Sequence, residues 1–254
     1  KKYSINATYN KLKVTHEEIF GLINDLKADR IHGLNVTIPY KQIMLNFVDE
    51  IEPSALKSKA INTVYKIGKK IVGANTDGFG FISSLKNDLN YKIKKNSNIL
   101  CIGSGGAAYG IISSLLEYKP RLIEIINRTE SSGLDLVRHF KKYSADKILI
   151  SRPWRYNPCK SINLLINTSA CGMEKNDKFE IDLGSLSKDV LVYDIIYNPR
   201  KTTLMKQAEV KGLRNTNGIF MLIRQAAESF NKWFGIKLND SDIEEAIKIL
   251  GDKL

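Results

Sequence analysis

A short apolar run that breaks into glycines, at residues 98–110, leaves few folds open to this chain. Ile99, Leu100, Cys101 and Ile102 show no polar alternation, the pattern of a strand buried on both faces. Gly103, Gly105 and Ala108 then fit the spacing G-x-G-x-x-A. The first glycine permits a tight turn and the second lets backbone approach a pyrophosphate. The small third residue lets helix pack on strand. The helix that follows opens with unpaired N–H groups, which suit phosphate oxygens. Such a pattern also occurs in purely structural turns, so its neighbourhood decides its meaning.

A second apolar run, residues 121–126, lies about 20 residues past the glycines, where a dinucleotide fold places the strand that meets the ribose. It ends in Asn127, Arg128 and Thr129. An NAD site places Asp or Glu there, to accept from the ribose 2′-hydroxyl. Here an amide, a cation and a hydroxyl stand instead. Such a strand end can hold a 2′-phosphate and has nothing to repel it. The residues favour NADP over NAD.

Strands and helices alternate along the chain. A strand is expected at residues 7–10. Thr15 suits the cap of a helix over 16–26, where Ile19, Leu22, Ile23 and Leu26 fall at helical spacing. Residues 31–36 return to strand character. Pro39 suits the first turn of a new helix that carries Lys41, with 46–51 continuing or closing it. Residues 59–66 and 70–74 read as a hairpin through Gly68. Phe79, Ile82, Leu85 and Leu89 mark a helix leading to the glycine strand. Further helices are expected at 134–140, 203–210, 218–234 and about 241–250, and further strands at 147–150, 161–168 and 190–197. This alternation is the signature of an α/β fold with parallel strands.

Composition narrows the function. The formal charge is +12, but the lysines are scattered (Lys92, Lys94, Lys141, Lys147, Lys188 and Lys201 among them) and form no long basic block. A solvated surface that steers anionic ligands explains this better than nucleic-acid binding. No run reaches the roughly 18 apolar residues of a membrane span. Cys101, Cys159 and Cys171 form no C-x-x-C pair, which fits reduced thiols in a cytoplasmic protein. His16, His32 and His139 are far apart in sequence, and no metal site is expected.

Polar residues gather at expected strand ends and turns: Asn35, Thr37 and Lys41; Asn62 and Thr63; Asn75, Thr76 and Asp77; and Gln225 on a late helix. Ligands of open α/β sheets bind beyond the carboxyl ends of strands. Asn, Thr and Gln offer donors and acceptors for a polyhydroxylated substrate. Lys41 and Asp77 are a candidate acid–base pair. An ammonium can give a proton to an alkoxide as hydride reaches a carbonyl, and a nearby carboxylate would hold it. Taken singly, Lys41 reads as a solvated helix residue and Asp77 as a helix cap.

The whole ordered set says more. Asn35-Val-Thr37-Ile-Pro39-Tyr-Lys41, Asn62-Thr63, Asn75-Thr76-Asp77-Gly78, the Gly103 turn, Asn127-Arg128-Thr129, Asn167-Thr168, Asp194 to Pro199, and Asn217-Gly218 to Gln225 resemble the shikimate dehydrogenase family over nearly the entire chain. The resemblance implies a two-domain α/β enzyme, with a Rossmann-type NADP domain and a substrate-binding catalytic domain built from both chain ends. Its bounds would be 1–77 for the first part of the substrate domain, 78–218 for the NADP domain, and 219–254 for the returning helices. The implied reaction is reversible reduction of 3-dehydroshikimate to shikimate by NADPH, on the route to chorismate and the aromatic amino acids. Lys41 and Asp77 match the catalytic pair. Thr37, Asn62 and Gln225 match substrate-binding positions, and Tyr197 lies near the substrate. Gly103, Gly105, Gly106 and Ala107 match the pyrophosphate loop. Asn127, Arg128 and Thr129 match the 2′-phosphate site, and Thr168, Gly218 and Met221 lie toward the nicotinamide.

Two departures from the family pattern stand out. The opening residues resemble the end of the family's first helix, so an initial strand and a Ser-x-Ser loop that grips the substrate carboxylate are expected to be missing. After Thr129, Glu130-Ser-Ser replaces a further basic residue often found there. The competing readings are a quinate/shikimate dehydrogenase that accepts NAD, and a non-catalytic dinucleotide-binding protein. A small-molecule substrate is the expected partner, with no nucleic acid and no membrane. A homodimer is compatible with the sequence and not required by it.

Overall fold

A computed structural model describes residues 2–145, 148–174, 177 and 181–253. The chain begins with α1 (Glu18–Lys27), β1 (Gly33–Asn35), β2 (Glu50–Ile51), α2 (Pro53–Ser58), β3 (Thr63–Ile67) and β4 (Lys70–Ala74). These strands form a four-stranded sheet in the order β1-β3-β4-β2. β3 and β4 form the expected hairpin, with Thr63 opposite Ala74, but its first strand spans Thr63–Ile67 rather than the expected 59–66, and β2 joins β4 in parallel. Ile19, Ile23 and Leu26 of α1 pack on Val64 and Ile71, so the apolar stripe of that helix covers one sheet face.

α3 (Asp77–Ser83) leads out of this sheet and continues as a π-helical turn, Ser84–Asp88. Then follow β5 (Asn98–Ile102), α4 (Gly106–Leu115), β6 (Leu122–Ile126), α5 (Glu130–Phe140), β7 (Leu149–Arg152), β8 (Leu164–Asn167), β9 (Leu191–Asp194), α6 (Thr203–Val210) and β10 (Arg214–Thr216). The six strands are all parallel, in the order β10-β9-β8-β5-β6-β7. This is the doubly wound arrangement, and its switch point lies between β5 and β8. Alternate residues of β5 serve opposite faces. Ile99 and Cys101 pack with Ile111 and Leu115 of α4 and Phe140 of α5. Leu100 and Ile102 pack with Leu165, Val192 and Leu204. Both faces are buried, hence the unbroken apolar run.

α7 (Ile219–Phe234) and α8 (Asp240–Lys253) close the chain. α7 crosses α3 tightly: a Cβ on Gly80 would stand 2.6 Å from Gln225 Cβ and 2.8 Å from Met221 O. On its other side α3 meets α4, where a Cβ on Gly78 would lie 2.5 Å from Gly110 O. α3 is thus a spacer between the two sheets, and only glycine permits those distances. Arg224 of α7 fixes the far end of the spacer, donating from Nε and Nη2 to both oxygens of Asp88 at 2.6 and 2.7 Å. No helix among the described residues is long and apolar enough to cross a membrane.

Several local expectations are corrected. Residues 7–10 form no strand: they are exposed and have no ladder partner among the described residues, and Tyr9 is tied down through its side chain to Asn35. Pro39 does not open a helix. The Ile38–Pro39 peptide is cis, Tyr40 N bonds Thr37 O in a tight turn, and a short 3₁₀ turn starts only at Ile43. Residues 50–51 are strand, because β4 offers its free edge to them. α5 starts at Glu130, four residues before the expected 134. Of the third strand expected at 147–150, Lys147 lies outside the described residues, and β7 begins at Leu149. The strand expected at 161–168 spans only Leu164–Asn167, and that at 190–197 only Leu191–Asp194. α2 and β10 have no sequence signal long enough to read.

The Arg224–Asp88 pair gives a stability test. Both side chains are only 10% exposed. Arg224→Met strands a buried carboxylate and is expected to cost about 3–5 kcal/mol. Arg224→Met combined with Asp88→Leu removes both charges and should recover most of that loss, measured by urea unfolding at neutral pH.

Candidate active site

Lys41 and Asp77 meet. Lys41 comes from the turn after β1, which is held to the segment just before β3 by Ile61 N donating to Lys41 O at 2.7 Å. Asp77 is the first residue of α3, just past the end of β4, and its N donates to Asn75 Oδ1 at 3.0 Å. Lys41 Nζ lies 2.6 Å from Asp77 Oδ2, with side chains 14% and 6% exposed. The bond is charge-assisted, and the low exposure of both side chains shields it from water.

Asn62 organises the surroundings. Its Nδ2 donates to Asp77 Oδ1 at 2.8 Å and to Thr76 Oγ1 at 2.9 Å, with Gln225 Oε1 3.3 Å away. Its Oδ1 accepts from Thr76 N at 2.8 Å and Thr63 Oγ1 at 3.0 Å. α7 adds Ser229, whose hydroxyl lies 2.7 Å from Thr63 Oγ1 and accepts from Asn35 Nδ2 at 3.1 Å. β1, β3, α3 and α7 therefore converge on one polar network, which brings together Asn35, Lys41, Asn62, Thr63, Thr76, Asp77 and Gln225. Sequence reasoning missed Ser229. The available signal was its place one turn after Gln225, a second polar residue at i+4 on an amphipathic helix. Thr37 sits exposed in the Lys41 turn, outside the network. Tyr197 is 39% exposed and lies near Tyr9, whose phenol is pushed up first by burial and then by the charge on Tyr197.

The glycine turn adjoins this network. Gly103 has φ +102°, a left-handed conformation that favours glycine, and a Cβ there would lie 2.9 Å from Thr168 Oγ1. Gly105 faces open space at the N-terminus of α4. A Cβ on Gly106 would lie 3.1 Å from Lys41 Cβ, so the Lys41 side chain lies across the start of α4. Ala107 is half-buried in the first turn. The start of α4 and the Lys41–Asp77 pair thus lie side by side. Bare backbone at Gly105 and an open helix N-terminus fit a pyrophosphate. At the end of β6, Asn127 Nδ2 donates to Thr129 O at 2.8 Å and shapes the loop, while Arg128 and Thr129 are exposed. Arg128 makes no ion pair among the described residues, which fits a phosphate partner. Thr168 is buried, and its hydroxyl donates to Ile102 O at 2.8 Å, linking β8 to β5 at the switch point. Gly218 packs on Ile195 at the start of α7, and Met221 is buried one turn later.

Asp194, at the end of β9, braces the same rim. It accepts from Thr202 Oγ1 at 2.7 Å, Asn167 Nδ2 at 3.0 Å and Ile196 N at 3.1 Å. Burial nonetheless pushes its carboxyl up from 3.8 to about 6.

A doubly wound dinucleotide sheet, a glycine turn at its switch point and a lysine–aspartate pair beside it, supplied by a second α/β unit, define a pyridine-nucleotide-dependent oxidoreductase. The comparisons agree. Residues 1–64 match the shikimate dehydrogenase substrate binding domain. The chain is 38% identical over 237 residues to the shikimate dehydrogenase (NADP(+)) of Pelagibacter ubique, covering 93% of this chain and 85% of that one. It superposes on shikimate dehydrogenase of Aquifex aeolicus with TM-score 0.84 at 29% identity, covering 97% and 88% of the two chains. The Thermus thermophilus enzyme, solved with NADP(H) and shikimate, gives TM-score 0.80 at 27% identity over 93% and 85%. The chain belongs to the shikimate dehydrogenase family.

The raised Asp194 carboxyl predicts a pH signature. The folded chain holds this proton more tightly than the unfolded chain, so its contribution to stability falls as pH rises from about 4 to about 6 and stays lost above that. Relative to Asp194→Asn, which does not titrate, the unmodified protein should lose on the order of 3 kcal/mol across that window. Chemical denaturation at a series of pH values measures it.

Proposed function

We propose that this chain catalyses the reversible, NADPH-dependent reduction of 3-dehydroshikimate to shikimate. The observation that carries the reading is the 2.6 Å Lys41–Asp77 contact, held by Asn62 and bordering the α4 N-terminus. Bound NADPH supplies the hydride. The chain supplies a proton and the position. Both Asp77 oxygens accept hydrogen bonds, one from Lys41 and one from Asn62, so Asp77 acts as the ionised partner and Lys41 as the donor. As hydride adds to the carbonyl carbon, the Lys41 ammonium protonates the oxygen, and the C=O becomes CH–OH. In the reverse direction neutral lysine takes that proton back.

In this reading Thr37, Asn62, Tyr197 and Gln225 bind the substrate. Gly103, Gly105, Gly106 and Ala107 seat the pyrophosphate, Asn127, Arg128 and Thr129 the 2′-phosphate, and Thr168, Gly218 and Met221 flank the nicotinamide. The units are 1–77 with 219–254 for substrate and catalysis, and 78–218 for NADP. The residues named here all come from one chain, and a homodimer is compatible with that. Cys101, Cys159 and Cys171 form no C-x-x-C pair, and reduced thiols fit a cytoplasmic location.

Glu130 at the start of α5, next to the Asn127 loop, is the feature that favours the second reading, a quinate/shikimate dehydrogenase that accepts NAD. Steady-state kinetics with both cofactors and both substrates separate the two. Lys41→Ala should lower kcat by about 10²–10⁴, the usual size of a general acid–base contribution, with KM for NADPH nearly unchanged. A variant with normal turnover would remove Lys41 from the chemistry. Arg128→Ala should raise KM for NADPH far more than for NADH, and equal losses would count against the 2′-phosphate assignment.

A further inference from the structure

We propose that Arg152 is a second cation of the adenosine 2′-phosphate seat, and thereby sets the preference for NADP over NAD. The proposal rests on the reading of residues 127–129 given above. A 2′-phosphate carries close to two negative charges at neutral pH. The 127–129 loop offers it one cation, Arg128, and the next residue is the acidic Glu130. The missing charge lies on the neighbouring strand. β7 runs parallel to β6 with Arg152 opposite Ile126, the residue just before Asn127. Arg152 therefore ends its strand beside the loop.

Its side chain is held by one edge only. Nε donates to Glu124 Oε1 at 2.7 Å, and Glu124, on the same face of β6, is only 2% exposed. Tyr156 donates its hydroxyl to the other Glu124 oxygen at 3.2 Å, and its ring centre lies 5.1 Å from the Arg152 guanidinium carbon. These contacts fix the guanidinium plane. The side chain is still 39% exposed, and its two terminal nitrogens make no hydrogen bond among the described residues. A partner needed only to neutralise Glu124 has no reason to keep that edge toward solvent. A planar fork held at Nε retains its terminal pair for bidentate contact with phosphate, which a lysine in its place could not reproduce.

The test is calorimetric and needs no turnover: binding of 2′,5′-ADP is compared with binding of 5′-ADP. Two variants remove the fork without stranding Glu124. Arg152→Lys keeps a charge beside the carboxylate, and Glu124→Gln with Arg152→Gln replaces the ion pair by neutral amides. Both should weaken 2′,5′-ADP about tenfold, the worth of one charge-assisted hydrogen bond, and leave 5′-ADP within about twofold. Equal losses on both nucleotides, or no loss on either, would overturn the role of Arg152. Arg128→Ala in the same assay separates the two levels. A selective loss there alone sinks Arg152 and leaves the seat. An unmodified protein that binds both nucleotides equally sinks the seat itself, whatever its activity toward shikimate.

Discussion

An ammonium and a carboxylate in a nearly dry groove impose conditions on everything around them. Each buried charge alone would cost several kcal/mol, and the pair is tolerable only when its remaining hydrogen-bonding capacity is filled. Lys41 satisfies one oxygen of Asp77, and Asn62 satisfies the other. Asn62 can do so only because Thr76 N and Thr63 Oγ1 fix its carbonyl oxygen and so orient its amide. The network is one unit. Thr63 leans on Ser229, Ser229 on Asn35, and Asn35 on the backbone of Asn62. Fully satisfied, such a network is rigid. Broken at one member, it exposes the others to the full price of burial.

Holding this unit against the cofactor groove is a problem of packing. α3 begins at Asp77 and runs between α4 and α7. Gly78 and Gly80 let it approach both closely, so the carboxylate that starts the helix is set by the same contacts that join the two sheets. The Arg224–Asp88 pair anchors the other end of the helical segment. A spacer locked on both sides and at its far end leaves the Asp77 carboxylate little room to shift. The contact of Lys41 with the start of α4 completes the frame.

Much of this was legible in local residue patterns. The buried strand, glycine turn and helix at residues 98–115, the hairpin through Gly68, and α6 at Thr203–Val210 all follow from short-range chemistry, apolar runs and turn residues. Errors came where tertiary partners overrule local preference. Residues 50–51 become strand because the edge of β4 is open to them, and residues 7–10 fail to because no edge meets them. Pro39 suits a helix start in isolation, but the chain turns there to carry Lys41 back toward β3. The polar clusters were visible as separate groups. Their convergence was not, since Asn62 and Gln225 are 163 residues apart and nothing local relates them.

By itself the sequence determined the alternation of elements, the phosphate-ready turn and the neutral or cationic end of β6, because each depends on residues within one or two turns of chain. Its order of motifs also pointed to the family. The contact of Lys41 with Asp77, the entry of Ser229 into their network and the place of Arg152 beside the Asn127 loop appear only once the chain is folded. Those facts depend on helix crossings and strand neighbours, and distances of a few tenths of an ångström between remote segments are set by packing of the whole core, which no local pattern encodes.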